Sequence, residues 1–306
     1  MHEEVAPNGP RYVPPLQTLA QIKSMLEERQ LRPKRSLGQN FLIDHNLIRK
    51  LVDSAAVGPG SLVLEVGPGT GTMTEELIAR GCEVIACELD DALAEMNRER
   101  IPTLPGGERF SLIHGDCLAG KHDVNPEIIA ALLGRPFTLV SNLPYGAGTP
   151  LMSTLLLDHP QCRVLAVTIQ REVGDRIIAS PGTKDFGPLA VIAQALCTAQ
   201  RIAIAPPECF WPRPDVTSAM LLLKRLDKPL TDDPRALSEF CRVIFAQRRK
   251  QLGSLLGRAT DWAAFARLPG CEGITPMLRA EQLSVAQILA LSRAIPVQPS
   301  RSEESH

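Results

Sequence analysis

Hydrophobic residues in the central part of the chain fall into short runs, separated by longer segments in which they recur at helical spacing. Each run is six or seven residues long, as is typical of strands buried on both faces of a parallel sheet. Strands that alternate with helices predict an α/β fold, a parallel sheet with helices on both of its faces. The predicted strands are 61–66, 83–88, 110–116, 137–142 and 164–170, and the predicted helices are 71–80, a segment from 91, 171–179 and 187–198.

The pattern differs at both ends of the chain. Residues 16–31 have helical spacing, and Asp44 is placed to cap a second helix that continues to about residue 57. Two late runs, 201–206 and 219–225, have no helix between them and predict an antiparallel strand pair at one edge of the sheet. Beyond residue 227 only helical spacing is found, at 234–259 and 281–294. We therefore expect four parts: a loose tail and a helix in 1–30, an α/β domain in 31–227, a small all-helical domain in 228–297 and a disordered tail in 298–306.

The 306 residues are 44% hydrophobic and carry a formal net charge of −1. This composition supports a large core but gives no overall attraction to nucleic acid, so binding to nucleic acid would depend on local basic patches. The eight cysteines form no C-x-x-C pair, no H-E-x-x-H motif occurs, and no apolar run is long enough to cross a membrane. We expect a cytoplasmic protein with reduced thiols, no membrane association and no metal site.

A glycine-rich turn follows the first predicted strand, with glycines at 67, 69 and 71. Glycines at the end of a buried strand let a nucleotide-like ligand approach the backbone. The dinucleotide pattern G-x-G-x-x-G is absent because Thr72 stands where its third glycine would lie. Glu88 ends the second strand and can accept both hydroxyls of a ribose, and Asp116 ends the third and can accept from an adenine amine. The pattern favours a binding site for an adenosyl ligand without a pyrophosphate. The alternative is that the glycines only form an ordinary tight turn.

The fourth predicted strand leads into Asn142-Leu143-Pro144-Tyr145. This segment suits a site at which an amino group acts as the nucleophile. An adenine amino group is a poor nucleophile. Hydrogen-bond acceptors around it, such as the Asn142 side chain and a backbone carbonyl of Leu143–Pro144, would bind its protons and favour a pyramidal nitrogen. Pro144 restricts the local backbone, and the ring of Tyr145 offers a face on which a base can stack. The alternative is a β-turn followed by a core tyrosine.

Taken together, these segments resemble the KsgA/Dim family of rRNA adenine dimethyltransferases over roughly residues 16–260. Two departures stand out, since Gln251 replaces the threonine that usually follows R-R-K, and Cys117 replaces the alanine of G-D-A-L. The matching motifs are LGQNFLID (37–44), EVGPGTG (65–71), NLPY (142–145), QREVGDRI (170–177), PGTKDFG (181–187), PPECFWPRPDVTSA (206–219) and RRKQL (248–252).

The resemblance implies a class I methyltransferase domain followed by a small helical domain. It also implies that S-adenosylmethionine is the cofactor and that a set of residues contacts it, namely Asn40, Leu42, Gly67, Gly69, Glu88, Asp116 and Asn142. The target adenine would be held by Asn142, Leu143, Pro144 and Tyr145. Phe210 would cover that base from its other side, unless it is an ordinary core residue.

Two basic patches are candidates for contacts with RNA phosphates. The first contains Lys34 and Arg35, and the second contains Arg248, Arg249 and Lys250, in a segment, 240–260, without an acidic residue. The alternative for either patch is a solvated helix face.

We therefore expect an enzyme that dimethylates adenines in a loop of small-subunit rRNA within a pre-ribosomal particle, acting as a monomer. Two alternatives stay open. One is a large-subunit rRNA adenine methylase of the antibiotic-resistance type, although such enzymes often carry N-I-P-Y and this chain has Leu143. The other is a ribosome-assembly factor whose main role is to bind immature subunits.

Overall fold

The computed structural model describes residues 16–120, 123–256 and 261–295. The predicted tails at 1–15 and 298–306 lie outside the described residues. The chain divides into two compact units, which are interleaved along the sequence. The first comprises the described residues of Met1–Leu151 together with Gln161–Gln170 and Ile202–Leu222, and the second comprises those of Met152–Pro160, Arg171–Arg201 and Leu223–His306.

Nine strands form within these described ranges. They are β1 (Phe41–Leu42), β2 (Leu62–Val66), β3 (Glu83–Glu88), β4 (Phe110–His114), β5 (Phe137–Asn142), β6 (Cys162–Gln170), β7 (Cys197–Ala205), β8 (Phe210–Trp211) and β9 (Ser218–Arg225). The α-helices of the same ranges are α1 (Leu19–Glu28), α2 (His45–Ala55), α3 (Thr72–Ala79), α4 (Asp91–Arg100), α5 (Pro126–Leu132), α6 (Tyr145–Asp158), α7 (Arg171–Ile177), α8 (Pro188–Leu196), α9 (Pro234–Phe245), α10 (Leu252–Leu255), α11 (Trp262–Phe265) and α12 (Val285–Ala294).

Seven of the strands form one sheet in the order β4-β3-β2-β5-β6-β9-β7, and β1 pairs with β8 in a separate two-stranded sheet. The pairs β3–β4, β2–β3, β2–β5 and β5–β6 are parallel, as predicted. The chain order reverses between β2 and β5, which makes this point a topological switch. Because parallel strands end at the same edge of a sheet, the residues that follow β2, β3, β4 and β5 are brought together there.

Strands β2 and β3 are buried: every residue of β2 and five of the six residues of β3 are shielded from solvent. Helix α2 begins where the sequence predicts, since the Asp44 side chain accepts a hydrogen bond from the Leu47 amide at 3.0 Å. Its apolar side contributes Ile48 and Leu51 to the same hydrophobic cluster as strand residues Val63 and Val84. These contacts hold the strands, and therefore their ends, in a fixed register.

Two parts of the secondary structure differ from the prediction. The sequence pattern does not predict helix α6. Gly146, Gly148 and Pro150 are unfavourable in helices, and the segment is apolar on all sides, so it shows no helical periodicity. The helical spacing at 234–259 corresponds to two helices among the described residues: α9 ends at Phe245, and the short helix α10 follows at Leu252–Leu255. The chain then turns, because the amides of Leu252 and Gly253 donate to carbonyls of the segment 276–278.

The second unit contains α8, α9 and α12, which contact one another. Its buried Phe186 packs edge-on against Phe245, with the ring centroids 6.1 Å apart. After β9 the described residues form helices and turns only, in agreement with the predicted helical segment. Within the described ranges, no helix is both long enough and apolar enough to span a bilayer.

Candidate cofactor and base-binding site

A cavity of about 500 Å³ opens at the carboxyl ends of β2, β3, β4 and β5 in the first unit. Residues 35–41, which precede α2, form a further part of its wall. The structure therefore brings together most of the residues that the sequence predicts for one site. These are Arg35, Asn40, Gly67, Gly69, Glu88, Asp116, Asn142, Leu143, Pro144 and Tyr145.

Two glycines shape the cavity wall after β2. Gly67 and Gly69 both have left-handed backbone conformations, with φ of +70° and +59°. A Cβ at position 69 would lie 2.8 Å from a ring carbon of Phe41, and one at position 67 would lie 3.1 Å from Cγ of Pro144. Side chains are therefore excluded at both positions, which leaves backbone exposed to the cavity.

Glu88 lies at the base of the cavity and is only 6% exposed. Its two carboxylate oxygens accept from the backbone amides of Gly69, at 3.1 Å, and Asp90, at 3.0 Å. Burial raises the pKa of this carboxyl, while the two amides counteract the rise. No described cationic side chain forms a salt bridge with Glu88, so its remaining lone pairs are available to hydroxyl groups of a ligand.

Asp116 follows β4 and is exposed at the rim of the cavity. One of its carboxylate oxygens accepts from the backbone amide of Leu118 at 3.0 Å, which fixes the side chain in a turn. The Asp116 carboxylate can therefore still accept a hydrogen bond from an adenine amine, the role predicted for it.

Asn142 ends β5, and its orientation is set by the opposite wall of the cavity. Its side-chain nitrogen donates to the backbone carbonyl of Asn40 at 2.9 Å. With the nitrogen committed to this bond, the side-chain oxygen remains as the acceptor. A free amide oxygen at the end of this strand can accept a hydrogen bond from the amino group of a substrate.

The residues after Asn142 line the cavity and are held in place by hydrogen bonds to residues outside its wall. The backbone amide of Leu143 donates to the carbonyl of Thr168 at 3.1 Å. The hydroxyl of Tyr145 lies 2.9 Å from the hydroxyl of Ser218, a fully buried residue of β9. Burial raises the pKa of Tyr145, so its phenol stays protonated at neutral pH. Ser218 was not singled out from the sequence, because only the packing shows that it anchors Tyr145.

Two predicted residues are not part of this cavity wall. Phe210 is 3% exposed and Leu42 is 5% exposed, and both belong to the hydrophobic core. They are partners in the antiparallel pairing of β1 with β8. In this conformation the ring of Phe210 is core packing, as the alternative supposed, and its role against a base stays a prediction.

The basic residues divide into paired and unpaired groups. The Nζ atom of Lys34 lies 2.8 Å from Asp90, and Arg248 lies 3.2 Å from Glu281, although the segment around Arg248 contains no acid. The acidic partner of Arg248 lies outside the segment 240–260, 33 residues further along the chain. Arg35, Arg249 and Lys250 are exposed, and none of them has a salt bridge with a described carboxylate.

The family model described as ribosomal RNA adenine dimethylase matches residues 30–296. The chain belongs to this family. It is 37% identical to ribosomal RNA small subunit methyltransferase A of Geobacillus kaustophilus over 91% of this chain and 96% of the relative. The protein of the same name from Phenylobacterium zucineum is 38% identical over 91% of this chain and 94% of the relative.

Solved structures agree with the fold. A dimethyladenosine transferase from Plasmodium falciparum superimposes with a TM-score of 0.67 over 82% of this chain and 95% of that chain, at 19% identity. The 23S rRNA methyltransferase ErmE superimposes with a TM-score of 0.64 over 84% of this chain and 99% of that chain, at 24% identity. The fold is that of a class I methyltransferase with a helical C-terminal region, as predicted, and the protein is a methyltransferase of the rRNA adenine dimethylase family.

Proposed function

We propose that this protein transfers methyl groups from S-adenosylmethionine to the exocyclic amines of adenines in a loop of small-subunit rRNA, giving N-6,N-6-dimethyladenosine. The observation that carries the proposal is the orientation of Asn142, whose nitrogen is held by Asn40 so that its oxygen is presented as an acceptor. The small-subunit substrate rests on the names of the curated relatives.

The residues of the cavity fit an adenosyl cofactor. Gly67 and Gly69 have no side chain and present their backbone to the cavity, and the buried carboxylate of Glu88 is suited to two ribose hydroxyls. Asp116 would accept from the adenine amine of the cofactor, and Asn40 and Asn142 would contact its remainder. When bound, S-adenosylmethionine supplies an electrophilic methyl group.

The chain's own groups prepare the acceptor amine. The Asn142 oxygen and a backbone carbonyl of Leu143–Pro144 would accept its two N–H protons and favour the pyramidal nitrogen that attacks. The ring of Tyr145, fixed by Ser218, would stack on the base. No strong base is required, because methylation itself makes the amine acidic and the proton is lost to solvent. The rate would come from alignment and from a preorganised polar site.

The direct test is mass mapping of rRNA from cells with and without this gene, followed by methylation with the purified protein. We expect dimethylated adenines in small-subunit rRNA to disappear without the gene and to be restored in vitro on small ribosomal particles. Loss of methylation in large-subunit rRNA instead would favour the antibiotic-resistance type of methylase. Particle binding without any methyl transfer would favour a role in assembly alone.

We further propose that the enzyme acts in the cytoplasm as a monomer on a pre-ribosomal particle. Arg35, Arg249 and Lys250 are the candidates for phosphate contacts, because they are exposed and have no salt-bridge partner among the described carboxylates. Lys34 and Arg248 are weaker candidates, since an RNA phosphate would have to compete with Asp90 or Glu281 for them.

A further inference from the structure

Residues 34–41, here called the N-terminal strap, have little regular structure but line the cavity from Arg35 to Phe41. The strap contains a single 3-10 turn and a left-handed Gly38, at φ +64°. Phe41 is held by the pairing of β1 with β8, and the position of the rest of the strap depends on side-chain contacts. Within the strap, the side-chain oxygen of Gln39 accepts from the backbone amide of Lys34 at 2.7 Å.

Asp90 is the residue that holds the strap at one end. One of its oxygens lies 2.8 Å from Nζ of Lys34 and accepts from the side-chain nitrogen of Gln39 at 2.9 Å. Its other oxygen accepts from the amides of Ala92, at 3.0 Å, and Leu93, at 3.2 Å, in the first turn of α4. The carboxyl group is only 3% exposed, and burial alone would raise its pKa, but the hydrogen bonds from Lys34, Gln39 and the Leu93 amide, together with the charge of Lys34, lower it below its usual value.

Asp90 also contacts Glu88, the carboxylate that we predict to bind the cofactor, because the backbone amide of Asp90 donates to it at 3.0 Å. The other end of the strap contacts Asn142, because the backbone carbonyl of Asn40 accepts a hydrogen bond from the Asn142 side chain. Gln39 and Asn40 are consecutive. A short series of contacts therefore runs from Glu88 through Asp90 and Gln39 to the group that orients Asn142.

We propose that Asp90 is a positioning residue, which holds the N-terminal strap so that the Asn40 carbonyl keeps the Asn142 oxygen turned towards the acceptor amine. The catalytic consequence rests on the proposed function, whereas the control of strap position does not. Lys34 then serves as the partner of Asp90 that keeps the strap in place. Nothing in this arrangement requires Asp90 to touch the cofactor or the RNA.

The test compares Asp90→Asn with Asp91→Asn. Asparagine is a good helix cap, so Asp90→Asn keeps the cap of α4 while it removes the charge that holds Lys34. Asp91 is the matched control, because its side chain is 88% exposed and pairs only with His114 in the described structure. A third variant, Lys34→Met, removes the same ion pair from the strap side.

The first readout is amide hydrogen exchange, which needs no activity. Exchange across residues 34–41 should accelerate about tenfold or more in Asp90→Asn and in Lys34→Met, while α4 exchanges as in the wild type, since only the strap loses contacts. The second readout is turnover at saturating cofactor and RNA. Here kcat should fall about tenfold in both variants, and in the double variant no further than in Asp90→Asn, because Lys34→Met removes only one of the two strap contacts that Asp90→Asn removes. Asp91→Asn should match the wild type in both readouts.

The outcomes separate the two claims. Unchanged exchange across the strap in Asp90→Asn overturns the positioning role, whatever the enzyme does. Faster exchange with an unchanged kcat overturns the link to Asn142 and leaves the proposed function intact. A wild-type enzyme that transfers no methyl group to rRNA overturns the proposed function, and the exchange experiment still decides whether Asp90 holds the strap.

Discussion

Asn142 and Asn40 are 102 residues apart in the sequence, and a hydrogen bond of 2.9 Å joins the side chain of the first to the backbone carbonyl of the second. An asparagine side chain can turn either end towards a ligand, and the two orientations have opposite chemistry. The carbonyl of Asn40 resolves this choice, because only the nitrogen of Asn142 can donate to it. An acceptor is thereby presented at the strand end, as methylation of an amine requires.

Asn142→Ala should abolish most methyl transfer while the protein stays folded. The acceptor for the amine proton is lost, and removal of one preorganised polar contact costs on the order of 10²-fold in rate. The measurement is single-turnover methylation of small ribosomal particles at saturating cofactor. Near-normal turnover in a folded variant would remove Asn142 from the chemistry.

Glu88→Ala should weaken the binding of S-adenosylmethionine by about 1–3 kcal/mol, because the ribose hydroxyls lose a charged acceptor. Titration calorimetry measures this difference directly. Glu95→Ala is the matched control, since that side chain is 64% exposed in the neighbouring helix α4. Equal affinities for the Glu88 variant and the wild type would show that the carboxylate does not contact the cofactor.

Tyr145→Ala should lower kcat/KM for RNA by about 5–150-fold, the equivalent of the 1–3 kcal/mol that stacking on one base contributes. Tyr145→Phe retains the ring and loses only the hydroxyl contact with Ser218. We expect it to keep most of the activity and to resemble Ser218→Ala. If Tyr145→Phe were as impaired as Tyr145→Ala, the hydroxyl rather than the ring face would be the functional group.

Arg249→Glu with Lys250→Glu should weaken particle binding and flatten its salt dependence, by roughly one unit of slope or less for each phosphate contact that is lost. Arg248→Ala should behave differently, because Arg248 donates to Glu281 and to the carbonyl of Phe186. It should lower the melting temperature and leave the slope unchanged. A salt titration of each variant, with a thermal melt, distinguishes the two roles. Superimposable slopes for the double variant and the wild type would favour a solvated surface.

Glu65 should make the protein less stable as the pH rises. It is buried in β2, Thr74 donates to it at 2.6 Å, and burial raises its pKa to about 8. The folded protein therefore holds a proton that the unfolded chain releases above its ordinary pKa of 4.5. Between these values the free energy of unfolding should fall with pH, by at most about 1.4 kcal/mol per unit from this group.

Denaturant titrations from pH 5 to pH 8 test this expectation. Glu65→Gln should remove part of the pH dependence, whereas Glu95→Gln, at an exposed position, should retain it. Parallel stability profiles for Glu65→Gln and the wild type would show that Glu65 is ionised in the folded protein.

The amino-acid pattern alone determined which residues lie at the ends of the parallel strands. Glu88 and Asn142 are the last residues of short apolar runs, and parallel strands in a sheet of this type must end at one edge, so their placement at that edge follows from local periodicity. The cap at Asp44 is equally local, because it depends on an amide only three residues away.

Tertiary structure decided which groups are free to act. Lys34 and Arg248 look like unpaired cations in the sequence, yet packing places Asp90 and Glu281 beside them. The family resemblance predicts that Phe210 covers the target base, and only the structure shows that the pairing of β1 with β8 places its ring in the core. These outcomes depend on contacts between segments far apart in the chain, and local periodicity contains no information about the distance between such segments. For the same physical reason the carbonyl of Asn40, which turns Asn142 into an acceptor, became visible only in the folded protein.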